Sequence, residues 1–186
     1  MGTILGDGCL ERNGINVRLR IDHSLSQRAF VDWKRRELQE LGPSIPRVVK
    51  RVDSRTRAEH RNYRFSTRSL PVLNHYYRLF HGDAGGSKRI PVSISDLLTT
   101  PLSLAVWYMD DGGRRSDCRS GYLNTNAYDL TDVSLLQNCL KEGFGVSTTV
   151  HFAAGKPRIY IPKGQFSDFC ALIRPFMIRE MSYKLL

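Results

Sequence analysis

From Asn16 to Asp22 apolar and polar side chains alternate without a break, with Val17, Leu19 and Ile21 on one side and Arg18 and Arg20 on the other. That period of two predicts a strand with one core face and one cationic face. Asn13-Gly14, just before it, signals a two-residue hairpin turn. Ser24 or Ser26 then caps a helix that reaches about Leu41 and stops at Gly42-Pro43. Phe30, Trp33, Leu38 and Leu41 supply its buried stripe, while Lys34, Arg35 and Glu37 stay outside. Strands follow near 47–53 and 62–67; in the second, Tyr63, Phe65 and Thr67 alternate with Asn62, Arg64 and Ser66. A helix over 70–80 tolerates Pro71 in its first turn, and the glycine-rich run at 82–87 reads as a linker.

Beyond that run the order repeats. A helix over 104–109, a hairpin within 114–126 and a helix over 130–142 follow, the last capped by Asp129 or Thr131 and stopped at Gly143. Strands at 147–153 and 157–162 flank the turn Ala154-Gly155-Lys156, and a helix covers about 165–173. Each half therefore reads helix, two strands, helix, two strands, helix. The expected fold class is α+β: two αββαββα halves related by a pseudo-two-fold, each with one antiparallel sheet, the sheets together forming a saddle. The expected boundaries are 1–82 for the first half, 83–100 for the linker and 101–186 for the second half.

The halves also share an ending. Leu104-Ala105-Val106-Trp107-Tyr108-Met109-Asp110-Asp111-Gly112-Gly113 is an apolar helix that runs into carboxylates and then glycine, and Met1-Gly2-Thr3-Ile4-Leu5-Gly6-Asp7-Gly8 repeats the design. An Asp-Gly after a helix is also an ordinary stop. Two adjacent carboxylates, however, gain nothing at a helix C-terminus, where the dipole favours cations. One acid per half on a dyad suits metal-assisted hydrolysis of opposed phosphodiesters, because water and phosphate complete the shell of Mg²⁺.

Composition narrows the partner. The 186 residues are 41% hydrophobic and 25% charged, which indicates a globular chain. The net charge is +10, and Arg supplies 21 of the 28 basic residues, so a polyanion such as nucleic acid is the expected partner. No run approaches the roughly 20 apolar residues of a membrane span, and the N-terminus lacks the order of a secretory signal. Cys9, Cys118, Cys139 and Cys170 show no CxxC pairing and suggest a reducing, intracellular compartment. The five histidines have no metal spacing, and Gly85-Gly86-Ser87-Lys88 lacks the glycine that a phosphate-cradling loop requires.

The two acid-ended segments resemble the LAGLIDADG motif of homing endonucleases, with the metal-binding acids falling on Asp7 and on Asp111 rather than Asp110. Ser87-Lys88-Arg89-Ile90-Pro91 and Ser182-Tyr183-Lys184-Leu185 resemble segments of the single-chain, two-motif branch related to the omega-intron endonuclease. The resemblance implies catalytic roles for Asp7, Asp111, Lys88 and Lys184. It also implies a centre for Mg²⁺ or Mn²⁺ at Asp7 and Asp111, with Gly6 and Asp110 beside them. The implied activity is a double-strand cut across the minor groove of a long DNA target, leaving staggered 3′ ends, by a monomer. The expected DNA-reading residues are Asn16, Arg18, Arg20, Asn62 and Arg64 in the first half and Tyr122, Asn124, His151, Arg158 and Tyr160 in the second, each of which could instead contact phosphate. Two rivals share the scaffold: an intron-splicing maturase with RNA as partner, and a DNA-binding relative that has lost cleavage. An organelle or a bacterial cytoplasm is the expected setting. Only about one and a half turns precede Asp7, which predicts a lopsided first helix or a truncated chain.

Overall fold

A computed structural model describes residues 1–52, 57 and 59–185. Asp53, the last residue of the expected third strand, lies outside them. The chain divides into two compact units, residues 7–77 and residues 1–6 with 78–186. The fold is α+β, built on two four-stranded antiparallel sheets.

The unit of residues 7–77 holds β1 (Cys9–Asn13), β2 (Asn16–Ser24), β3 (Arg47–Val52) and β4 (Glu59–Ser66) in the order β1-β2-β4-β3. Helix α2 (Arg28–Glu37) packs on β2 and β4, and α3 (Pro71–His81) begins at the end of the unit. The alternation along β2 holds: Val17, Leu19 and Ile21 are buried and Arg18 and Arg20 lie on the other face. The turn is offset by one residue from the expected one. Asn13 pairs with Asn16, so Gly14 and Ile15 form the loop, and Gly14 takes φ +67°. A glycine at the first loop position suits the twist of a two-residue hairpin.

Three helix expectations need correction. The segment expected as one helix from Ser24 or Ser26 is a 3-10 turn (Leu25–Gln27), then α2, then a second 3-10 turn (Gln39–Leu41), and Ser24 makes no capping bond. Its hydroxyl meets Ser26 Oγ at 3.0 Å instead. The buried stripe of α2 is Phe30, Val31 and Lys34, whereas Trp33 is only half-buried. Lys34, expected outside, is 1% exposed because its ammonium finds His23 and the Phe30 ring inside.

The other unit repeats the sheet. Strands β5 (Gly112–Arg114), β6 (Gly121–Leu123), β7 (Thr149–Ala153) and β8 (Lys156–Ile161) follow the order β5-β6-β8-β7, the counterpart of the first sheet. The turn between β7 and β8 is Ala154-Gly155 alone, both residues with positive φ (50° and 75°), and Lys156 already belongs to β8. Helices α1 (Gly2–Leu5), α4 (Ile94–Leu97), α5 (Pro101–Asp111), α6 (Leu130–Phe144) and α7 (Lys163–Ile173) complete the unit. Helix α5 is longer at its start than the apolar run suggested: Thr100 Oγ1 accepts from Ser103 N at 3.2 Å, and Pro101 occupies the first helical position. In α6, Asp129 is the cap, and the stop is Gly145 at φ +68° rather than Gly143. Helix α4 was not anticipated. Its Ile94 and Leu98 carbonyls face the Cys139 thiol of α6.

Helix α1 is too short to be stable alone. Packing supplies what propensity lacks. Ile4 (7% exposed) and Leu5 (1%) are buried, and a Cβ on Gly2 would lie 1.9 Å from the Ser103 carbonyl oxygen of α5. Burying two aliphatic side chains contributes about 3–6 kcal/mol, which offsets much of the cost of ordering one turn.

Two glycine substitutions should therefore move stability in opposite directions. Gly2→Ala places a methyl against backbone that cannot rotate away, and should cost about 1–3 kcal/mol. Gly143→Ala lies within α6, where an added Cβ meets nothing within 4 Å, and should stabilise by about 0.5–1 kcal/mol. Urea unfolding of both variants against the parent protein measures the two signs.

Candidate functional site

The close approach at Gly2 continues to the ends of the two helices. A Cβ on Gly6 would lie 2.4 Å from Asp110 Oδ2 and 2.5 Å from Asp110 Cβ, so α1 and α5 finish side by side at a separation that only glycine permits. Gly6 is the C-cap of α1, and Asp110 is the penultimate residue of α5. The next residue along the chain is Asp7 in one case and Asp111 in the other.

A lysine sits on each helix end. Lys88 Nζ donates to the carbonyls of Leu5 (3.1 Å) and Gly6 (3.2 Å). Lys184 Nζ donates to those of Met109 (2.6 Å) and Asp110 (3.3 Å). The last carbonyls of a helix have no partner within it and carry the negative end of the dipole, so an ammonium is their natural counterpart. Sequence reasoning expected these lysines in a catalytic role; what the structure shows is that they close the two helices.

Both lysines are held in place by what surrounds them. Arg89, next to Lys88, donates its main-chain N–H to Phe80 O (2.8 Å) and its guanidinium to Asp129 (2.9 Å) and the buried Asp132 (2.9 Å). Lys184 ends a 3-10 turn (Arg179–Lys184), and its carbonyl accepts from the Tyr108 hydroxyl at 2.8 Å. Tyr128 mirrors that contact by donating to the Leu5 carbonyl at 3.2 Å, and Lys88 Nζ lies 5.7 Å from its ring centre. Burial raises the pKa of Tyr128, and the charges of Asp111 and Asp132 raise it further. Burial likewise raises that of Tyr108, with smaller contributions from Cys170 and Tyr122. Both hydroxyls stay protonated and donating. Neither tyrosine was singled out from sequence, where apolar spacing marks them only as core.

Asp7 is 48% exposed, and its Oδ2 lies 3.6 Å from His23 Nδ1. His23 continues the buried face of β2, two residues past the alternation read from Val17 to Ile21. Its Nδ1 meets Gln27 Oε1 at 3.0 Å and its Nε2 meets Lys34 Nζ at 3.3 Å. An ammonium only donates, so Nε2 accepts and the ring proton resides on Nδ1, facing Gln27 and Asp7. His23 thus hydrogen-bonds Gln27 through Nδ1, with the Asp7 carboxylate alongside at 3.6 Å.

The carboxylates at the helix ends are oxygen donors of the kind that fits a hard divalent cation such as Mg²⁺ or Mn²⁺. Asp7 and Asp111 are the carboxylates at the helix ends, where a cation offsets the unfavourable meeting of acid and dipole. Gly6 offers a carbonyl that already accepts from Lys88, and Asp110 a carboxylate packed on Gly6.

The expected reading residues fall on the sheets. Arg18, Arg20, Asn62 and Arg64 share the face of their sheet opposite the core, and two acids gather them: Glu11 pairs with Arg18 and Arg20, and Asp22 with Asn62 and Arg64. Asn16 is tied elsewhere, its carbonyl oxygen accepting from Asn74 at 3.0 Å. In the second sheet, Arg158 lies over the Tyr122 ring at 4.1 Å, and His151 stacks on Tyr160 at 4.1 Å. Asn124 follows β6 and donates its main-chain N–H to Asp111 O at 3.0 Å. Among the described residues, no helix is long and apolar enough to cross a membrane.

The model of the LAGLIDADG DNA endonuclease family matches residues 1–169. A probable intron-encoded endonuclease of Wickerhamomyces canadensis is 28% identical over all of this chain and 81% of its own length. A cytochrome b mRNA maturase of Debaryomyces hansenii is 26% identical over 99% of this chain and 71% of its own. The solved structure of the homing endonuclease I-WcaI bound to its DNA recognition sequence superimposes with a TM-score of 0.88 at 27% identity, covering 100% of this chain and 83% of that one.

Two measurements test the roles of the buried groups. Lys184→Met strips the ammonium from two helix-end carbonyls at a site only 9% exposed, and should cost about 1.5–3 kcal/mol. Lys88→Met, at a half-buried site, should cost less; urea midpoints compare the two. For the tyrosines, folding raises the pKa above the ordinary 10.0, so their contribution is complete below that pH and is lost as pH rises and the unfolded chain ionises first. The fall in urea midpoint from about pH 9 to 11 should be shallower in a Tyr108→Phe, Tyr128→Phe double variant than in the parent.

Proposed function

The chain belongs to the LAGLIDADG DNA endonuclease family, and on that footing we propose that it is a site-specific endonuclease that hydrolyses one phosphodiester in each strand of a long double-stranded DNA target, leaving a staggered break. The observation that carries this reading is a device present twice. Lys88 holds the carbonyl before Asp7, and Lys184 holds the carbonyl before Asp111. A chain needing only helix stops has no reason to place an acid immediately after each lysine-capped carbonyl.

Asp7 and Asp111 would each offer a carboxylate to a divalent cation, Mg²⁺ or Mn²⁺, with Gly6 and Asp110 beside them. When bound, such a cation supplies Lewis-acid stabilisation of charge on the phosphate. Lys88 and Lys184 bring fixed positive charge to the same two helix ends, where it counters the charge that develops on the phosphoryl oxygens. His23 lies 3.6 Å from Asp7 and helps to position its carboxylate. The arginine-rich faces of the sheets take the DNA, and the net charge of +10 steers it there. The protein acts as a monomer in a reducing compartment, an organelle or a bacterial cytoplasm.

The maturase relative favours a second reading, in which intron RNA is the partner of the same scaffold. One experiment separates the two. The protein, Asp7→Asn and Asp111→Asn are incubated with a randomised DNA library and Mg²⁺, and binding to intron RNA is measured in parallel. We expect linear DNA products from the parent, a loss of about a hundredfold or more in each variant, and DNA binding that survives in both. Raising salt from 50 to 200 mM should weaken that binding by about a thousandfold or more. Tight RNA binding with no cut DNA would sink the endonuclease reading.

A further inference from the structure

The first sheet carries two acids on the face assigned to DNA. Glu11 and Asp22 are only 19% and 13% exposed, and each spends both carboxylate oxygens on neighbours. Glu11 Oε2 accepts from Arg18 Nε at 3.0 Å, and its Oε1 accepts from Arg20. Asp22 Oδ1 accepts from Asn62 Nδ2 at 2.9 Å, and its Oδ2 accepts from Arg64 Nε at 3.0 Å. Beside them opens a pocket of about 300 Å³, lined by Arg18, Arg47 and Arg64 with the hydroxyls of Ser44 and Ser66.

Phosphate binding does not account for this arrangement. A carboxylate among arginines cancels positive charge and repels phosphate, so it lowers non-specific affinity. Nor are these acids placed to accept from a cytosine amino group, since their oxygens already have donors. What each acid does is immobilise. Arg18 is gripped through Nε and Arg64 through both Nε and Nη2, so each guanidinium keeps one orientation and the N–H groups on the far edge of its fork remain to donate elsewhere. Two parallel N–H groups held in that way match the O6 and N7 acceptors of guanine in the major groove. A phosphate would accept any orientation; a base edge would not.

We propose that this pocket is the guanine-reading subsite of the first sheet, and that Glu11 and Asp22 are specificity-determining residues that act by holding Arg18 and Arg64. The proposal rests on the endonuclease reading and adds to it the base that one half-site must contain. The second sheet is built otherwise, with Arg158 and His151 lying on tyrosine rings. Its share of the target is therefore read with less demand for guanine.

The test is selection of bound sequences from a randomised duplex library without divalent metal, using the full chain, Glu11→Gln, Asp22→Asn, Arg18→Lys and an exposed control, Glu37→Gln. The parent should select guanine at one or two positions of one half-site. Glu11→Gln and Asp22→Asn should each lower that preference about tenfold or more, while binding random DNA as well as the parent or better. Arg18→Lys keeps the charge and loses the fork, so it should lose the preference at the Glu11-dependent position with random-DNA affinity within about threefold. Glu37→Gln should match the parent. Thermal melting checks that each variant folds, and Arg18→Lys decides the matter should an acid variant not fold. Selection of a site by the parent with unchanged preference in the variants would overturn this inference alone. A parent that selects no DNA sequence would overturn the endonuclease reading and this inference with it.

Discussion

The approach of α1 to α5 through glycine is the constraint on which the rest of the candidate site depends. At Gly2 the neighbouring atom is a main-chain oxygen, and at Gly6 it is the side chain of Asp110. Two helices this close leave no room for side chains to satisfy the carbonyls at their ends, so the capping groups must arrive from outside the pair. Lys88 and Lys184 do so, from a segment after α3 and from the last 3-10 turn. The helix ends and the ammonium groups are thus one assembly. The acids that follow the capped carbonyls inherit their position from it.

That dependence explains what could be read from the residues and what could not. The apolar runs ending in Asp-Gly, the period of two along β2, and the match of element order between halves identify the α+β duplication and its two acid-ended runs, whereas Lys88 and Lys184 come forward only through the family resemblance. Lys34 shows the limit. Its place on α2 is polar by any pattern, yet it is buried because His23 and Phe30 offer an acceptor and a ring across the layer. A cross-strand partner has no signature in a linear sequence. The same holds for Tyr128, which reads as core until Leu5 O appears 3.2 Å from its hydroxyl. The turn at Gly14-Ile15 was displaced for a related reason: pairing of Asn13 with Asn16 sets the register, and the turn takes the residues left over.

The charges obey a consistent rule. Each acid placed among basic groups meets at least one of them at hydrogen-bonding distance: Glu11 with Arg18, Asp22 with Arg64, Asp132 with Arg89. Asp132 is 2% exposed, and its two oxygens tie Arg89 and the Ile90 main chain into one corner beside Lys88. A buried ion pair sets its attraction against the cost of desolvating both charges, so these pairs matter for where they hold a side chain rather than for how tightly they hold the fold.

The two halves repeat a topology and diverge in how they fix their polar groups. In the unit of residues 7–77, hydrogen bonds to carboxylates and the His23–Lys34 contact do the orienting. In the other sheet, aromatic faces do it. A ring constrains the plane of a guanidinium but lets it slide and rotate within that plane, whereas a carboxylate gripping Nε fixes direction as well. A duplicated chain that needed only to hold a symmetric polyanion would have no use for the difference. One that must register an asymmetric sequence would, because a half with rigid donors sets the frame and a half with adaptable ones accommodates what the frame presents. On the proposed reading, the divergence of Glu11 and Asp22 from the tyrosines of the second sheet is how the two halves meet an asymmetric target.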